Sequence, residues 1–183
     1  MLTLLKNFVV VILYIILILA CNNDNSLQHF MVTQQEKPNV ISIDISPSIL
    51  SLDENITTPE NKAILKTIHK ANVMMYEIDT LNTKTYNADK EQLKKIFKNE
   101  KYQELMRFGK GSNGIKVFIV GDEKSIDELI VAGNDDTKGW VILRVIGENM
   151  QVEKILGLMN EIKLDKNNTQ LKNIGEIFKN FSN

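Results

Sequence analysis

Residues 115–146 read IKVFIVGDEKSIDELIVAGNDDTKGWVILRVI, and the fold class turns on this stretch. Three apolar, β-branched runs, 115–120, 126–132 and 140–146, are separated by 121–124 and 133–139, which are short and rich in glycine and acidic residues. A parallel pair needs a crossover of about a dozen residues or more, so links this short predict adjacent antiparallel strands, a meander. In the last run both alternating faces are apolar: Val141, Leu143 and Val145 on one, Trp140, Ile142 and Ile146 on the other, with Arg144 alone breaking the second. Large apolar faces are rarely left bare, so the second face needs a cover. Packing by residues 171–181 is the plainer expectation. Docking of a partner protein or a lipidic ligand on Trp140, Ile142 and Ile146 is the functional one.

Upstream, residues 40–46 alternate strictly, which places Ile41, Ile43 and Ile45 on one face of a strand that Pro47 ends. Thr58-Pro59-Glu60 offers an N-cap, a proline at the first helical position and an acidic first turn. Ile64, Leu65, Ile68 and Ala71 then recur at helical spacing, so a helix is expected over 59–71. Residues 73–80 read as a second strand, with Met74, Tyr76 and Ile78 facing one way, and 82–87 as a turn. From Ala88 a longer helix is expected to use Leu93, Ile96, Phe97, Leu105 and Met106, bent or broken at the polar Lys98-Asn99-Glu100-Lys101. Downstream, Val152, Ile155, Leu156, Met159 and Ile162 mark an amphipathic helix, and Leu171, Ile174, Phe178 and Phe181 a last one within 169–183. The order β-α-β-α-β-β-β-α-α predicts an α+β domain, with a mixed or antiparallel sheet of about five strands and helices packed on one face.

The amino-terminal residues carry the one chemical signature. Lys6 gives a positive start, 8–20 form an apolar stretch of about 13 residues, and Ala20 is the small residue a signal peptidase requires beside the bond it cuts. Cys21, the only cysteine, follows directly after Ile18-Leu19-Ala20. That is the pattern of a lipoprotein precursor cut between Ala20 and Cys21, whose sulphur takes diacylglycerol and whose new amino group takes an N-acyl chain. A permanent transmembrane helix needs about 20 apolar residues, whereas Lys6-Asn7 and Asn22-Asn23-Asp24-Asn25 bound the run here. Residues 21–37 are polar and aperiodic enough to read as a flexible tether with a reach of about 20–25 Å, leaving 38–183 as a single domain.

Several chemistries find no support in the residues. With 22 basic against 23 acidic residues the chain is near neutral, whereas nucleic-acid binding calls for a clustered basic surface. Gly109-Lys110-Gly111-Ser112 lacks the strand-before, helix-after context and the Lys-Ser/Thr step of a phosphate loop. Asn134-Asp135-Asp136-Thr137-Lys138-Gly139 has a calcium-loop glycine, but Lys138 stands at the fifth position and Val145 at the twelfth, where a bidentate glutamate belongs. His29 falls in the expected tether and His69 beside the apolar stripe of the expected helix. The acid pairs Asp122-Glu123 and Asp135-Asp136 sit in turns, where solvated charge is the default. No nucleophile triad or metal cluster can be assembled by spacing, so no catalytic residue, metal or further cofactor is expected.

Tyr102-Gln103-Glu104-Leu105-Met106-Arg107, then Lys116-Val117-Phe118-Ile119-Val120 leading to Asp127-Glu128-Leu129-Ile130-Val131, and Val141-Ile142-Leu143-Arg144-Val145-Ile146-Gly147 together resemble an uncharacterised lipoprotein family of Bacteroidota grouped under a domain of unknown function. The resemblance covers about 40–159 and implies an envelope lipoprotein with one α+β domain and no assigned activity. Surface-exported lipoproteins of that lineage carry acidic residues just after the cysteine, and here Asp24 stands alone among asparagines. An outer-membrane anchor facing the periplasm is therefore the expectation. The expected role is a non-catalytic binding or signalling accessory with an envelope protein as partner; a carrier of an apolar small molecule is the alternative, and an envelope hydrolase the least supported.

Overall fold

The computed structural model describes residues 25–50, 58–110, 113–122 and 124–161. Its element order is α1 (Leu27–Gln34), β1 (Val40–Ile45), α2 (Pro47–Leu50), α3 (Pro59–Thr67), β2 (Ile68–Glu77), α4 (Thr83–Ile96), β3 (Gln103–Lys110), β4 (Asn113–Asp122), β5 (Ser125–Asp135), β6 (Gly139–Met150) and α5 (Val152–Glu161). The six strands form one sheet in the order β1-β2-β6-β5-β4-β3, and every neighbouring pair is antiparallel. The α+β class and the meander from β4 to β6 are as the sequence implies. The sheet has one strand more than expected.

That extra strand is β3. Leu105 and Met106, read above as a continuing helix, lie in a strand at the sheet edge paired with β4. The helix before it is complete at Ile96 and starts earlier than Ala88. Residues 83–87, expected as a turn, are its first turns, because Tyr86, Asp89, Leu93 and Ile96 form one buried stripe. Similarly α3 starts where Thr58 caps it, the Thr58 hydroxyl accepting the Asn61 amide at 3.2 Å, but stops at Thr67 instead of residue 71. Ile68 and Ala71 belong to β2, where Ala71 is paired with both Ile45 and Val145. Their helical spacing was coincidental, and two flanking ladders override it.

The largest correction concerns residues 21–37. From Leu27 this segment is helix α1, capped by Ser26, whose hydroxyl accepts the His29 amide at 3.1 Å. Leu27, Phe30, Met31 and Gln34 are buried, so the folded domain begins by Leu27 and not at residue 38.

Helices cover both faces of the sheet, not one. On the first face Val73, Ile119, Leu129, Leu143 and Val145 pack with Ile64 and Leu65 of α3 and Ile155 and Leu158 of α5. On the second, Met74, Tyr76, Phe118, Ile130, Trp140 and Ile142 pack with α1 and with Tyr86, Leu93 and Ile96 of α4. The two apolar sides of β6 thus each have a helical layer.

Candidate functional site

The face of β6 proposed for a partner or ligand is where the sequence points first. Trp140 and Ile142 are fully buried, Ile146 is half-buried, and the covering residues come from the protein itself. The Trp140 ring packs tilted on Phe30 at 5.4 Å between centroids and stacks on Tyr76 at 5.7 Å. Helices α1 and α4 pack over Trp140 and Ile142, so at these two residues the side offered to a partner or a lipidic ligand is filled by the protein's own side chains. Residues 171–181 themselves lie outside the described residues, as do Ala20 and Cys21.

Three polar clusters fasten those helices to the sheet and its hairpin or to each other. Arg144, the one charge within residues 140–146, donates from Nε to Glu128 Oε2 at 2.8 Å and from Nη1 to Gln28 on α1. Lys101 approaches the other Glu128 oxygen at 3.6 Å. Burial pushes the Glu128 carboxyl up, but the Arg144 hydrogen bond and charge, with Lys101, outweigh it and hold the group below the ordinary glutamate value. The pair is nearly dry, and the ionised carboxylate is held by Arg144 from β6 and by Lys101 from the α4–β3 connection.

In the second cluster, Asp89 on α4 accepts from Gln34 Nε2 at 2.8 Å and Lys37 Nζ at 3.0 Å, which clamps α1 to α4. Gln34 and Asp89 are both buried. Gln34 Oε1, Asp89 Oδ2 and Trp140 Nε1 have no partner among the described residues. In the third, the Tyr86 hydroxyl donates to Asp136 at 3.0 Å and Lys90 reaches the same oxygen at 2.5 Å. Burial first, and the bond to Asp136 second, push the Tyr86 hydroxyl well above the usual tyrosine value. A tyrosine so held is neutral at any physiological pH and serves as a donor, not a nucleophile.

The acidic turn residues resolve into turn chemistry. Asp135 accepts from the Thr137 amide at 2.8 Å, the Thr137 hydroxyl at 2.5 Å and the Lys138 amide at 3.1 Å, closing the β5–β6 hairpin in which Asp135 is paired with Gly139. These bonds hold its carboxyl below the ordinary value, the Thr137 hydroxyl contributing most. Gly109-Lys110 ends strand β3, with Lys110 paired with Asn113 of β4, so a strand does precede this segment, but a strand and not a helix follows it, and the phosphate-loop context still fails. His29 is exposed on α1, and His69 is exposed on β2 rather than on a helix, within the register shift between Ile68 and Lys70. Among the described residues no group of three His, Cys, Asp or Glu side chains is placed to hold a metal ion, and no helix is long and apolar enough to cross a membrane.

Sequence reasoning missed Gln28, Gln34, Asp89 and Glu128, because each owes its role to a partner distant in the chain. Arg144 was the only available signal, a charge interrupting an apolar face. A comparison with curated proteins gives no match. A family model described as a domain of unknown function, DUF4252, matches residues 30–158, a span that starts within α1 and ends within α5, so it takes in the whole sheet and both helical layers. The chain belongs to the DUF4252 family.

Proposed function

We propose that this protein is a bacterial envelope lipoprotein, cut between Ala20 and Cys21 and anchored through acyl chains on Cys21, whose DUF4252 domain acts as a non-catalytic binding module. The observation that carries the reading is the sequence Ile18-Leu19-Ala20-Cys21 at the end of a short apolar run. One acyl chain gives marginal binding, and each buried methylene adds about 0.8 kcal/mol, so two or three chains make anchoring stable.

The fold sharpens the proposal. With α1 capped at Ser26, the chain between Cys21 and the domain can span at most about 18 Å. The domain then sits against the headgroups with the amino-terminal end of α1 toward them. That end carries Tyr102, whose hydroxyl meets the Leu27 amide, and Lys101, whose ammonium lies 5.5 Å from the Tyr102 ring centroid. The sparse acidity after Cys21 favours an outer-membrane anchor facing the periplasm. A carrier of an apolar small molecule gains nothing from the second face of β6, which α1 and α4 fill.

Replacement of Cys21 by serine tests the anchor. The expected product is no longer fatty-acylated and no longer sediments with membranes; a variant that stays acylated and membrane-bound overturns the reading. Crosslinking in cells tests the binding role, with repeated recovery of one envelope protein expected and persistent failure to recover any counting against it.

A further inference from the structure

Gln34 on α1, Asp89 on α4 and Trp140 on β6 are 2%, 3% and 0% exposed, and each keeps one polar atom without a partner among the described residues: Gln34 Oε1, Asp89 Oδ2 and Trp140 Nε1. Native interiors rarely leave such atoms unmet, because an unpaired buried donor or acceptor carries its full desolvation penalty. The three belong to one place. Gln34 Nε2 donates to Asp89 Oδ1 at 2.8 Å, so the two leftover oxygens sit on the same pair of facing groups. Turning the Gln34 amide over would set Oε1 against Asp89 Oδ1, acceptor against acceptor, and relieves nothing. Phe30, one helical turn before Gln34 on the buried side of α1, packs on the Trp140 ring at 5.4 Å. Burial first, and the Asp89 charge next, raise the Tyr76 hydroxyl above the ordinary tyrosine value, and Trp140 stacks on that same tyrosine at 5.7 Å.

We infer that this junction of α1, α4 and β6 binds one internal water molecule, which donates to Gln34 Oε1 and to Asp89 Oδ2 and accepts from the Trp140 Nε1–H. The hydrogen-bonding inventory selects that occupant. Two acceptors and one donor call for a ligand with two protons to give and a lone pair to offer, and a buried water typically makes about three such bonds. A cation would meet the Trp140 N–H head-on and stand beside the Lys37 ammonium, which lies 3.0 Å from Asp89 Oδ1. An anion would face the Asp89 carboxylate. A larger neutral molecule would have to displace Phe30 or Tyr76 from the Trp140 ring. The water joins the sheet to both of the helices that cover this face, through bonds that the three side chains leave unmade with one another.

Trp140 is the chain's one tryptophan, so its indole N–H gives an unambiguous nuclear magnetic resonance signal in the full chain. A cross-peak from that proton to water is expected, opposite in sign in laboratory-frame and rotating-frame Overhauser spectra, a pattern that marks a molecule in lasting contact and not proton exchange or passing surface water. Absence of the cross-peak, or equal signs, overturns the inference. Gln34→Met keeps the reach of the side chain and removes Oε1. Loss of the cross-peak is expected in that variant, and its full retention overturns the inference, since the nearby Tyr76 hydroxyl would then be its source. Should the variant fail to fold, a crystal structure of the unsubstituted chain decides. One ordered water within hydrogen-bonding distance of Gln34 Oε1, Asp89 Oδ2 and Trp140 Nε1 is expected; a dry junction, or Asp89 Oδ2 in direct contact with Gln34 Oε1 or Trp140 Nε1, overturns it. No readout here depends on Cys21 being acylated.

Discussion

The backbone amide of Leu27 donates to the hydroxyl of Tyr102, 75 residues later, at 3.1 Å in a buried setting. Leu27 is the first residue of α1, and the first amides of a helix have no partner within it. A side chain from the far end of the α4–β3 connection therefore completes a helix that the sequence around it hardly announces. Tyr102→Phe strands that amide and is expected to cost about 1–2 kcal/mol, read as a lower denaturation midpoint with an unchanged m-value.

The same relationship implies that α1 is part of the cooperative unit. Phe30 is fully buried between α1 and Trp140, so Phe30→Ala is expected to destabilise the whole domain by about 3–5 kcal/mol. Were residues 27–34 only a linker, the substitution would leave the unfolding curve where it was. Chemical denaturation followed by Trp140 fluorescence distinguishes the two, because the ring that reports is the one Phe30 touches.

What was legible before the structure, and what was not, follows from how each element declares itself. The strands β4, β5 and β6 alternate cleanly or are apolar throughout, and their glycine-rich links leave them little choice but to pair. In β3 the register shifts between Glu104 and Met106. This bulge places Leu105 and Met106 side by side and destroys the period of two that would have marked a strand. Helix α1 hides for another reason: its fourth buried position is the polar Gln34, tolerable only because Asp89 waits opposite. The Arg144–Glu128 pair was out of reach altogether. It requires the register that sets Ile130 opposite Arg144 and Glu128 opposite Ile146, and no local pattern encodes that diagonal.

That pair makes stability depend on acid. Glu128 has a folded pKa below its ordinary value of 4.5, so below 4.5 the unfolded chain takes up a proton before the folded one does, and stability falls as pH falls through the lowered value. The contribution is fully present above 4.5. Glu128→Gln is expected to flatten the dependence of the denaturation midpoint on pH below 4.5, leaving the slopes of groups such as Glu104 and Asp135, which are shifted in the same direction. An equally steep acid limb in the variant would show that Glu128 is not the group responsible. Arg144→Met, which leaves the carboxylate buried beside Lys101 alone, should fall near the lower end of the about 3–5 kcal/mol that breaking such a pair costs.

On the alkaline side the sign reverses through Tyr86. Its folded pKa is raised above 10.0 by burial and by the bond to Asp136, so above pH 10 the unfolded chain loses a proton that the folded one keeps. Stability present below 10 is lost as pH rises through the folded value. Tyr86→Phe removes the hydroxyl and with it this slope, at the cost of a bond that also secures Lys90 and the β5–β6 hairpin to α4. Midpoints measured from neutral pH to 11 should therefore decline less steeply in the variant, and parallel declines would contradict the assignment.

Gly139 tests the hairpin that turns the chain into β6. Its φ is +119°, a conformation that residues with a Cβ rarely adopt, and a Cβ there would collide with the Tyr76 carbonyl oxygen of the neighbouring strand. Strain and collision act together on the residue immediately before Trp140, at the end of β6 where it is paired with both Glu77 and Asp135. Relief would require β2 and β6 to part at the point where Trp140 stacks on Tyr76. Gly139→Ala is therefore expected to cost more than about 2 kcal/mol and to perturb the tryptophan fluorescence of the folded state. By contrast Gly157, whose added Cβ would meet nothing within 4 Å on α5, should gain about 0.5–1 kcal/mol on replacement by alanine. Opposite signs at two glycines, measured by the same denaturation experiment, separate backbone necessity from helix propensity; equal signs would refute the strand contact assigned to Gly139.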